Sequence, residues 1–203
     1  AINVTVFNLP TIQTQPAAKS EACIGTTVTL TVVDNGGQTY QWLKDNVNIP
    51  NATTNTLTRS ISSTADAGTY KVVVSNGCNY SVTSNNSIIT VKSAPTITSS
   101  PINTTVCAGQ PVNASVSANT NGGGSLSYQW ISDGTAVSGA NSSNFLIERA
   151  SLNDNGKVYT VAVTNSCGRI SGGSFTLNVG DKPKDVIIST SISNKDLAGN
   201  PAV

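Results

Sequence analysis

The stretch Tyr128-Gln129-Trp130, followed by Asp154-Asn155-Gly156-Lys157-Val158-Tyr159, repeats an earlier pair of segments. The earlier pair is Tyr40-Gln41-Trp42 and Asp66-Ala67-Gly68-Thr69-Tyr70. The tryptophans are 88 residues apart (130 − 42) and the closing tyrosines 89 (159 − 70). Because a repeat of this length is as long as a small domain, the sequence predicts two copies of one fold.

Short segments with alternating apolar and polar residues surround these motifs, and turn residues separate them. No helical period persists along the chain. About seven short strands per copy, with turns every 8–12 residues or so, predict an all-β fold of two antiparallel β-sandwiches. The predicted inward-facing residues are Val28, Leu30, Val32, Tyr70, Val72 and Val74 in the first copy, and Val112, Ala114, Val116, Tyr159, Val161, Val163, Phe175, Leu177 and Val179 in the second.

The repeat predicts domains at residues 10–92 and 93–180, joined at Ala94-Pro95, with extensions at 1–9 and 181–203. Both extensions contain a strand-like segment that has no partner within a complete sandwich, and a lone strand usually joins a sheet. The first segment places Ile2, Val4 and Val6 on one face, and the second is Asp185–Thr190. The N-terminal segment is either a strand donated to a neighbouring molecule or the last strand of a preceding repeat.

The composition argues against several functional classes. The net charge is +1 without a basic stripe, which argues against nucleic-acid binding, and no apolar run approaches the ~20 residues that span a membrane. The absence of histidine excludes imidazole-dependent catalytic triads and histidine metal sites. The acidic residues are scattered, so we expect no enzyme activity, metal or cofactor; a weak calcium site between the domains would use Asp45, Asp133 or Asp181.

The start Ala1-Ile2-Asn3-Val4 lacks the features of a signal peptide, so we expect a mature or excised form. The four cysteines, which recur at matching positions in the two copies, suit an oxidising compartment and predict an extracellular or cell-surface location. Gly122-Gly123-Gly124 is expected to be a flexible surface loop. Together with Asp34–Thr39 it is the default contact candidate, because loops of sandwiches commonly bind partners.

At these residues the chain resembles the immunoglobulin superfamily, close to its intermediate set, over nearly all of residues 10–180. The resemblance implies that Trp42 and Trp130 are the buried tryptophans of the third strand. It also implies that Tyr70 forms a tyrosine corner with upstream backbone, and that Tyr159 corresponds to it with one residue inserted. The spacing Cys-x-Gly…Tyr-Gln-Trp…Asn-Gly-Cys is similar to tandem immunoglobulin-like repeats of bacterial surface proteins.

The cysteines depart from the pattern of antibody-type domains, whose disulfide lies in the core against the tryptophan. Valines stand at those core positions, namely Val32, Val72, Val116 and Val161. One pairing is a bridge within each domain, Cys23 with Cys78 and Cys107 with Cys167. In the implied topology those residues lie at opposite domain ends, about 26 Å apart, whereas a disulfide needs Cα atoms within roughly 7 Å.

The same geometry favours a Cys23–Cys167 bridge between the domains, with Cys107 of one molecule meeting Cys78 of the next. Four free thiols are the third alternative, without a base that would activate them. The main functional hypothesis is an extracellular structural or adhesive protein that builds a head-to-tail array, filament or pilus from copies of itself or neighbouring repeats. The alternative is an ancillary binding module for carbohydrate or virus-particle decoration, with Tyr80 as the main exposed aromatic. A surface glycan or a protein is the expected kind of ligand, and the sequence does not identify which one.

Overall fold

The computed structural model describes residues 8–181. Within this range the chain forms nineteen strands and two short 3₁₀ helices, and no α-helix. This architecture confirms the prediction of an all-β protein with two sandwiches. The strand-like segments that contain Ile2, Val4 and Val6 and Asp185–Thr190 lie outside the described residues.

The first sandwich, called domain 1 below, contains ten strands and the 3₁₀ helix Thr64–Asp66. One sheet has the order β2-β10-β8-β5-β6 with β9 beside β8, and the facing layer contains the pairs β1–β4 and β3–β7. The strands are β1 (Thr11–Thr14), β2 (Lys19–Cys23), β3 (Thr27–Thr31), β4 (Val33–Asn35), β5 (Thr39–Lys44), β6 (Val47–Asn48), β7 (Thr56–Ser60), β8 (Gly68–Ser75), β9 (Ser81–Thr83) and β10 (Ser87–Lys92).

The second sandwich, domain 2, has the same arrangement and the 3₁₀ helix Leu152–Asp154. Its larger sheet has the order β12-β19-β18-β15-β16, and the facing layer contains the pairs β11–β14 and β13–β17. The strands are β11 (Thr96–Ser99), β12 (Thr104–Cys107), β13 (Val112–Ser115), β14 (Ser117–Asn119), β15 (Ser127–Ser132), β16 (Thr135–Ala136), β17 (Asn144–Ile147), β18 (Val158–Asn165) and β19 (Gly168–Gly180).

In each domain the chain crosses from one sheet to the other at a buried proline. Pro16 separates β1, which pairs antiparallel with β4, from β2, which pairs parallel with β10. Pro101 has the same place between β11 and β12. Proline has no backbone N–H to donate to a strand ladder, so pairing stops there and resumes on the other sheet. The sequence predicts antiparallel sandwiches, and the structure adds one parallel strand pair to each of them. These pairs place Cys23 and Cys107 at domain ends.

Each domain has its own apolar core around a fully buried tryptophan. The indole N–H of Trp42 donates to the carbonyl of Thr54 and that of Trp130 to the carbonyl of Ser142, both at 2.9 Å. The other buried apolar residues are Ala22, Val28, Leu30, Val32, Leu57, Ile61, Tyr70, Val72, Val74 and Ile89 in domain 1, and Val112, Ala114, Val116, Phe145, Ala150, Tyr159, Val161, Val163, Phe175, Leu177 and Val179 in domain 2.

The glutamine of each Tyr-Gln-Trp motif has a role that our sequence analysis did not predict. The side-chain amide of Gln41 donates to the carbonyls of Trp42 and Ile49, both at 2.9 Å. Gln129 makes the same two bonds to Trp130 and Val137, also at 2.9 Å. Each glutamine therefore ties the tryptophan strand to the segment after the next strand. The recurrence of glutamine at both positions is the sequence feature from which a shared structural role could have been predicted.

Domain 1 contains a tyrosine corner, in which the hydroxyl of Tyr70 donates to the carbonyl of Asp66 at 2.8 Å. The buried carboxylate of Asp66 accepts hydrogen bonds from the backbone amides of Ser62 and Ser63 and from the guanidinium of Arg59. The hydrogen bond from the Ser62 amide is the main reason that the pKa of Asp66 lies well below its usual range, and the bond from Arg59 is the second. Among residues 8–181, the hydroxyl of Tyr159 makes no equivalent backbone bond, consistent with the inserted residue.

Acid should weaken domain 1 through Asp66. Its pKa is lower in the folded than in the unfolded state, so its stabilising contribution is present above about pH 4 and is lost as the pH falls below that. We expect Asp66→Asn to cost about 3 kcal/mol at pH 7, because two amides and a guanidinium lose a charged acceptor, and to reduce the acid dependence. Urea unfolding at pH 7, 5 and 3 measures both effects. The control Glu148→Gln changes an exposed carboxylate and should cost at most about 0.5 kcal/mol; equal losses in both variants would contradict this assignment.

Candidate functional site at the domain junction

The two domains are joined end to end by a disulfide. Cys23 is the last residue of β2, and Cys167 lies in the turn between β18 and β19. Their Cα atoms are 5.4 Å apart although 144 residues separate them in sequence. Cys78 and Cys107 are free and exposed. The structure therefore contains neither of the within-domain pairings, Cys23 with Cys78 or Cys107 with Cys167.

A buried asparagine fixes the linker beside this disulfide. The side-chain amide of Asn165 donates to the carbonyls of Ser93, at 2.9 Å, and of Thr120, at 2.8 Å. Its side-chain oxygen accepts a bond from the backbone amide of Cys167 at 2.8 Å. Asn121 donates from its side chain to the carbonyl of Ala94, also at 2.8 Å. The linker is thus held by domain 2 at successive residues.

The glycine-rich segment Gly122-Gly123-Gly124 lies at this junction, where Gly122 and Gly124 are exposed, as expected of a surface loop, and Gly123 is buried. A Cβ atom on the buried Gly123 would lie 2.1 Å from the side-chain nitrogen of Asn165, so no larger residue fits. The carbonyl of Gly123 accepts a bond from the hydroxyl of Ser166 at 2.9 Å. The glycine is needed for close packing against Asn165, a reason that composition alone does not reveal.

The second predicted contact loop, Asp34–Thr39, packs against the segment that enters domain 1. A Cβ atom on Gly36 would lie 3.1 Å from the carbonyl oxygen of Leu9. The carboxylate of Asp34 accepts bonds from the backbone amide of Gly37, at 2.9 Å, and from the hydroxyl of Tyr40, at 2.7 Å. The loop is therefore braced by its own side chains.

The acidic residues that a calcium site would use do not come together. Asp45 and Asp133 accept bonds from the backbone amides of Thr69 and Val158 in equivalent hairpins of the two domains, whereas Asp181 lies beside Ala108. Across residues 8–181, cysteine and acidic side chains form no group of three that could hold a metal ion. None of the helices in this range is long and apolar enough to cross a membrane.

Comparison with known proteins agrees with the fold of the two β-sandwiches. Residues 94–179 match the family model of the immunoglobulin domain. No curated protein matches the sequence. A solved three-immunoglobulin-domain fragment of titin, an E-to-A variant, is 19% identical and superposes with a TM-score of 0.64, covering 85% of this chain and 66% of its own length. The chain has two tandem immunoglobulin-like domains.

Two further solved structures share this tandem arrangement. An I-band fragment of titin is 18% identical, with a TM-score of 0.64 and coverage of 87% of this chain and 67% of that one. The first two immunoglobulin domains of DIP-gamma are 16% identical, with a TM-score of 0.61 and coverage of 86% and 99%. At these identities the likeness concerns the fold. Each immunoglobulin-like domain of this chain contributes one of its two cysteines to the junction, where Cys23 is bonded to Cys167.

Proposed function

We propose that the chain is a non-catalytic extracellular structural or adhesive protein, a building block of a head-to-tail array or filament. The observation that supports it best is the end-to-end junction, closed by the Cys23–Cys167 disulfide and by the hydrogen bonds of Asn165 and Asn121. A linker bonded at successive residues restricts bending between the domains. Two sandwiches joined in this way form a stiff spacer that can be repeated.

The extracellular location is supported by the disulfide, because such bonds persist in oxidising compartments. The proposed domain boundaries are 10–92 and 93–180, with extensions at 1–9 and 181–203. They are supported by the end of β10 at Lys92 and the start of β11 at Thr96. A bacterial cell surface is the setting that the sequence resemblance favours.

The segment with Ile2, Val4 and Val6 offers a second means of assembly. As a donated strand it would add main-chain hydrogen bonds to a neighbour's sheet, with alternate side chains setting the register. As the last strand of a preceding repeat it would instead belong to the same chain. The alternative function, an ancillary binding module, has Tyr80 as its main candidate for stacking on a sugar, since that residue is 59% exposed.

Immuno-electron microscopy of the cells that make the chain tests the proposal. With an antibody against domain 2, we expect label outside the cell along linear structures. Truncation of residues 1–7 should shorten these structures if the segment is a donated strand and leave them unchanged if it is not. Label confined to the cell interior, or scattered soluble particles that a glycan array shows to bind sugars, would contradict the structural role.

A further inference from the structure

The rear end of domain 2, which carries Cys107, repeats the backbone hydrogen bonds of the rear end of domain 1, which contacts domain 2. In domain 1 the backbone amides of Ile24 and Gly25 donate to the carbonyls of Lys92, at 2.9 Å, and Ile61, at 2.8 Å. In domain 2 the amides of Ala108 and Gly109 donate to Gly180, at 2.9 Å, and Ala150, at 2.7 Å. The turn that presents Cys107 is therefore folded like the turn that presents the bonded Cys23.

One more backbone hydrogen bond is repeated in these rear turns. Thr26 donates from its backbone amide to the carbonyl of Cys23, and Gln110 to that of Cys107, both at 3.1 Å. A shallow depression of about 720 Å³ lies beside the turn of domain 2, lined by Ala108, Gly109, Ala150, Ser151, Leu152, Asn153 and Asp181. Its half-exposed Leu152 gives a docking domain an apolar contact.

The front end of domain 1 likewise repeats the front end of domain 2. The buried side-chain amide of Asn76 donates to the carbonyl of Asn8 at 2.8 Å, as Asn165 donates to that of Ser93. The side-chain oxygen of Asn76 accepts a bond from the backbone amide of Cys78 at 3.0 Å, as that of Asn165 does from Cys167. Cys78 is therefore presented in the same way as the bonded Cys167.

The position of Asn8 defines the path of the chain into domain 1. Asn8 and Leu9 precede Pro10 as Ser93 and Ala94 precede Pro95. Because Asn76 holds Asn8 as Asn165 holds Ser93, the chain enters both domains along the same path. A domain connected through Asn8 would lie against domain 1 as domain 1 lies against domain 2.

We propose that the front end of domain 1 docks the rear end of another immunoglobulin-like domain of this same type, with Cys78 bonded to the cysteine at the Cys23 or Cys107 position. The rear end of domain 2 docks the next front end in the same way, through Cys107. This inference rests on the proposed array function, and it identifies the surfaces through which neighbouring units of the array bind each other. It makes each junction a copy of the one between Cys23 and Cys167.

The bond forms by oxidation of the two thiols. With a small disulfide such as oxidised glutathione, one cysteine thiolate attacks the oxidant and releases a glutathione thiol. The second cysteine then attacks the mixed disulfide, so that the Sγ–Sγ bond forms and a second glutathione thiol leaves. The protein loses two electrons and two protons, and the oxidant gains them as two thiols.

A tandem fusion tests this junction directly. Gly180 pairs with Cys107 as Lys92 pairs with Cys23, so Asn8 of a second copy placed directly after Gly180 reproduces the linker. After oxidation with glutathione, peptide mapping should find Cys23–Cys167 in each copy and a third bond from Cys107 of the first copy to Cys78 of the second. Because the linker keeps these cysteines at high effective concentration, the bond should exceed Cys78–Cys78 and Cys107–Cys107 cross-links at least about tenfold.

The control fusion contains Cys78→Ser in the second copy and should lose the third bond while it keeps both Cys23–Cys167 bonds. Free Cys107 and Cys78 in the oxidised parent fusion, with both Cys23–Cys167 bonds formed, would overturn the inference. That outcome differs from failure of the array function, which microscopy detects on the native protein. A closed third bond without linear structures outside the cell would uphold the docking contact and contradict the array.

Discussion

Trp130→Ala should strongly destabilise domain 2 while domain 1 keeps its stability. Trp130 is fully buried, and its ring lies 5.1 Å from the ring of Phe145 and 6.2 Å from that of Phe175, centroid to centroid. Its removal leaves a large cavity and an unpaired carbonyl at Ser142, a loss of about 4 kcal/mol. A domain of this size has a total stability of only about 4–12 kcal/mol, so the loss removes between about a third of it and all of it.

Urea unfolding of the variant measures this effect domain by domain. The remaining tryptophan, Trp42, lies in domain 1, so its fluorescence reports domain 1 alone, whereas circular dichroism reports both domains. The control Leu146→Ala removes a side chain that is 57% exposed and should cost less than about 1 kcal/mol. A Trp130→Ala protein with one transition at the wild-type midpoint would show that the aromatic cluster contributes little.

Removal of the interdomain disulfide should weaken both domains together. When one domain unfolds and the other stays native, the bridge still closes a loop of ~70 residues, from Cys23 to the linker or from the linker to Cys167. The constraint lowers the entropy of the unfolded chain. We therefore expect the double variant Cys23→Ser, Cys167→Ser to lose about 3 kcal/mol from each domain.

The matched control is Cys78→Ser with Cys107→Ser, which removes two exposed thiols and leaves the bridge intact. Its free energy of unfolding should stay within about 0.5 kcal/mol of that of the parent. Calorimetry of both double variants under oxidising conditions separates the two cases. Equal unfolding temperatures for the two variants would show that the bridge adds no constraint to the unfolded chain.

The fold was predictable because each inward-facing residue repeats at a period of two. Val28 and Leu30 on β3, Val32 directly after it, and Phe175, Leu177 and Val179 on β19 are all buried as their alternation indicates. The separation of Cys23 from Cys78 could also be predicted from strand direction. The strand after Cys23 and the strand before Cys78 run the same way, so the two cysteines lie at opposite ends of the domain. Such arguments need only the pattern and the topology.

The details of the junction were not predictable, because they depend on side chains far apart in sequence. Gly123 must be glycine only because Asn165 fills the adjacent space, and neither residue indicates this by itself. The bond from Asn76 to Asn8 spans 68 residues and gives no local signal. The crossing at Pro16 suggests a strand break, yet the parallel pairing of β2 with β10 becomes visible only in the packed sheet.

The Cys23–Cys167 bridge also determines how the protein transmits a pulling force. Tension applied between Asn8 and Asp181 passes along the chain to Cys23, crosses the sulfur atoms and leaves from Cys167, so it bypasses β5 and β15, the strands that carry the two tryptophans. Only ~30 residues lie on that route, enough for about 100 Å of extension, whereas the described chain without the bridge would stretch to about 600 Å. The segments exposed to shear are β1, β2 and β19. The bridge thus acts as a strain limiter, which allows the pair of domains to bear load without unravelling.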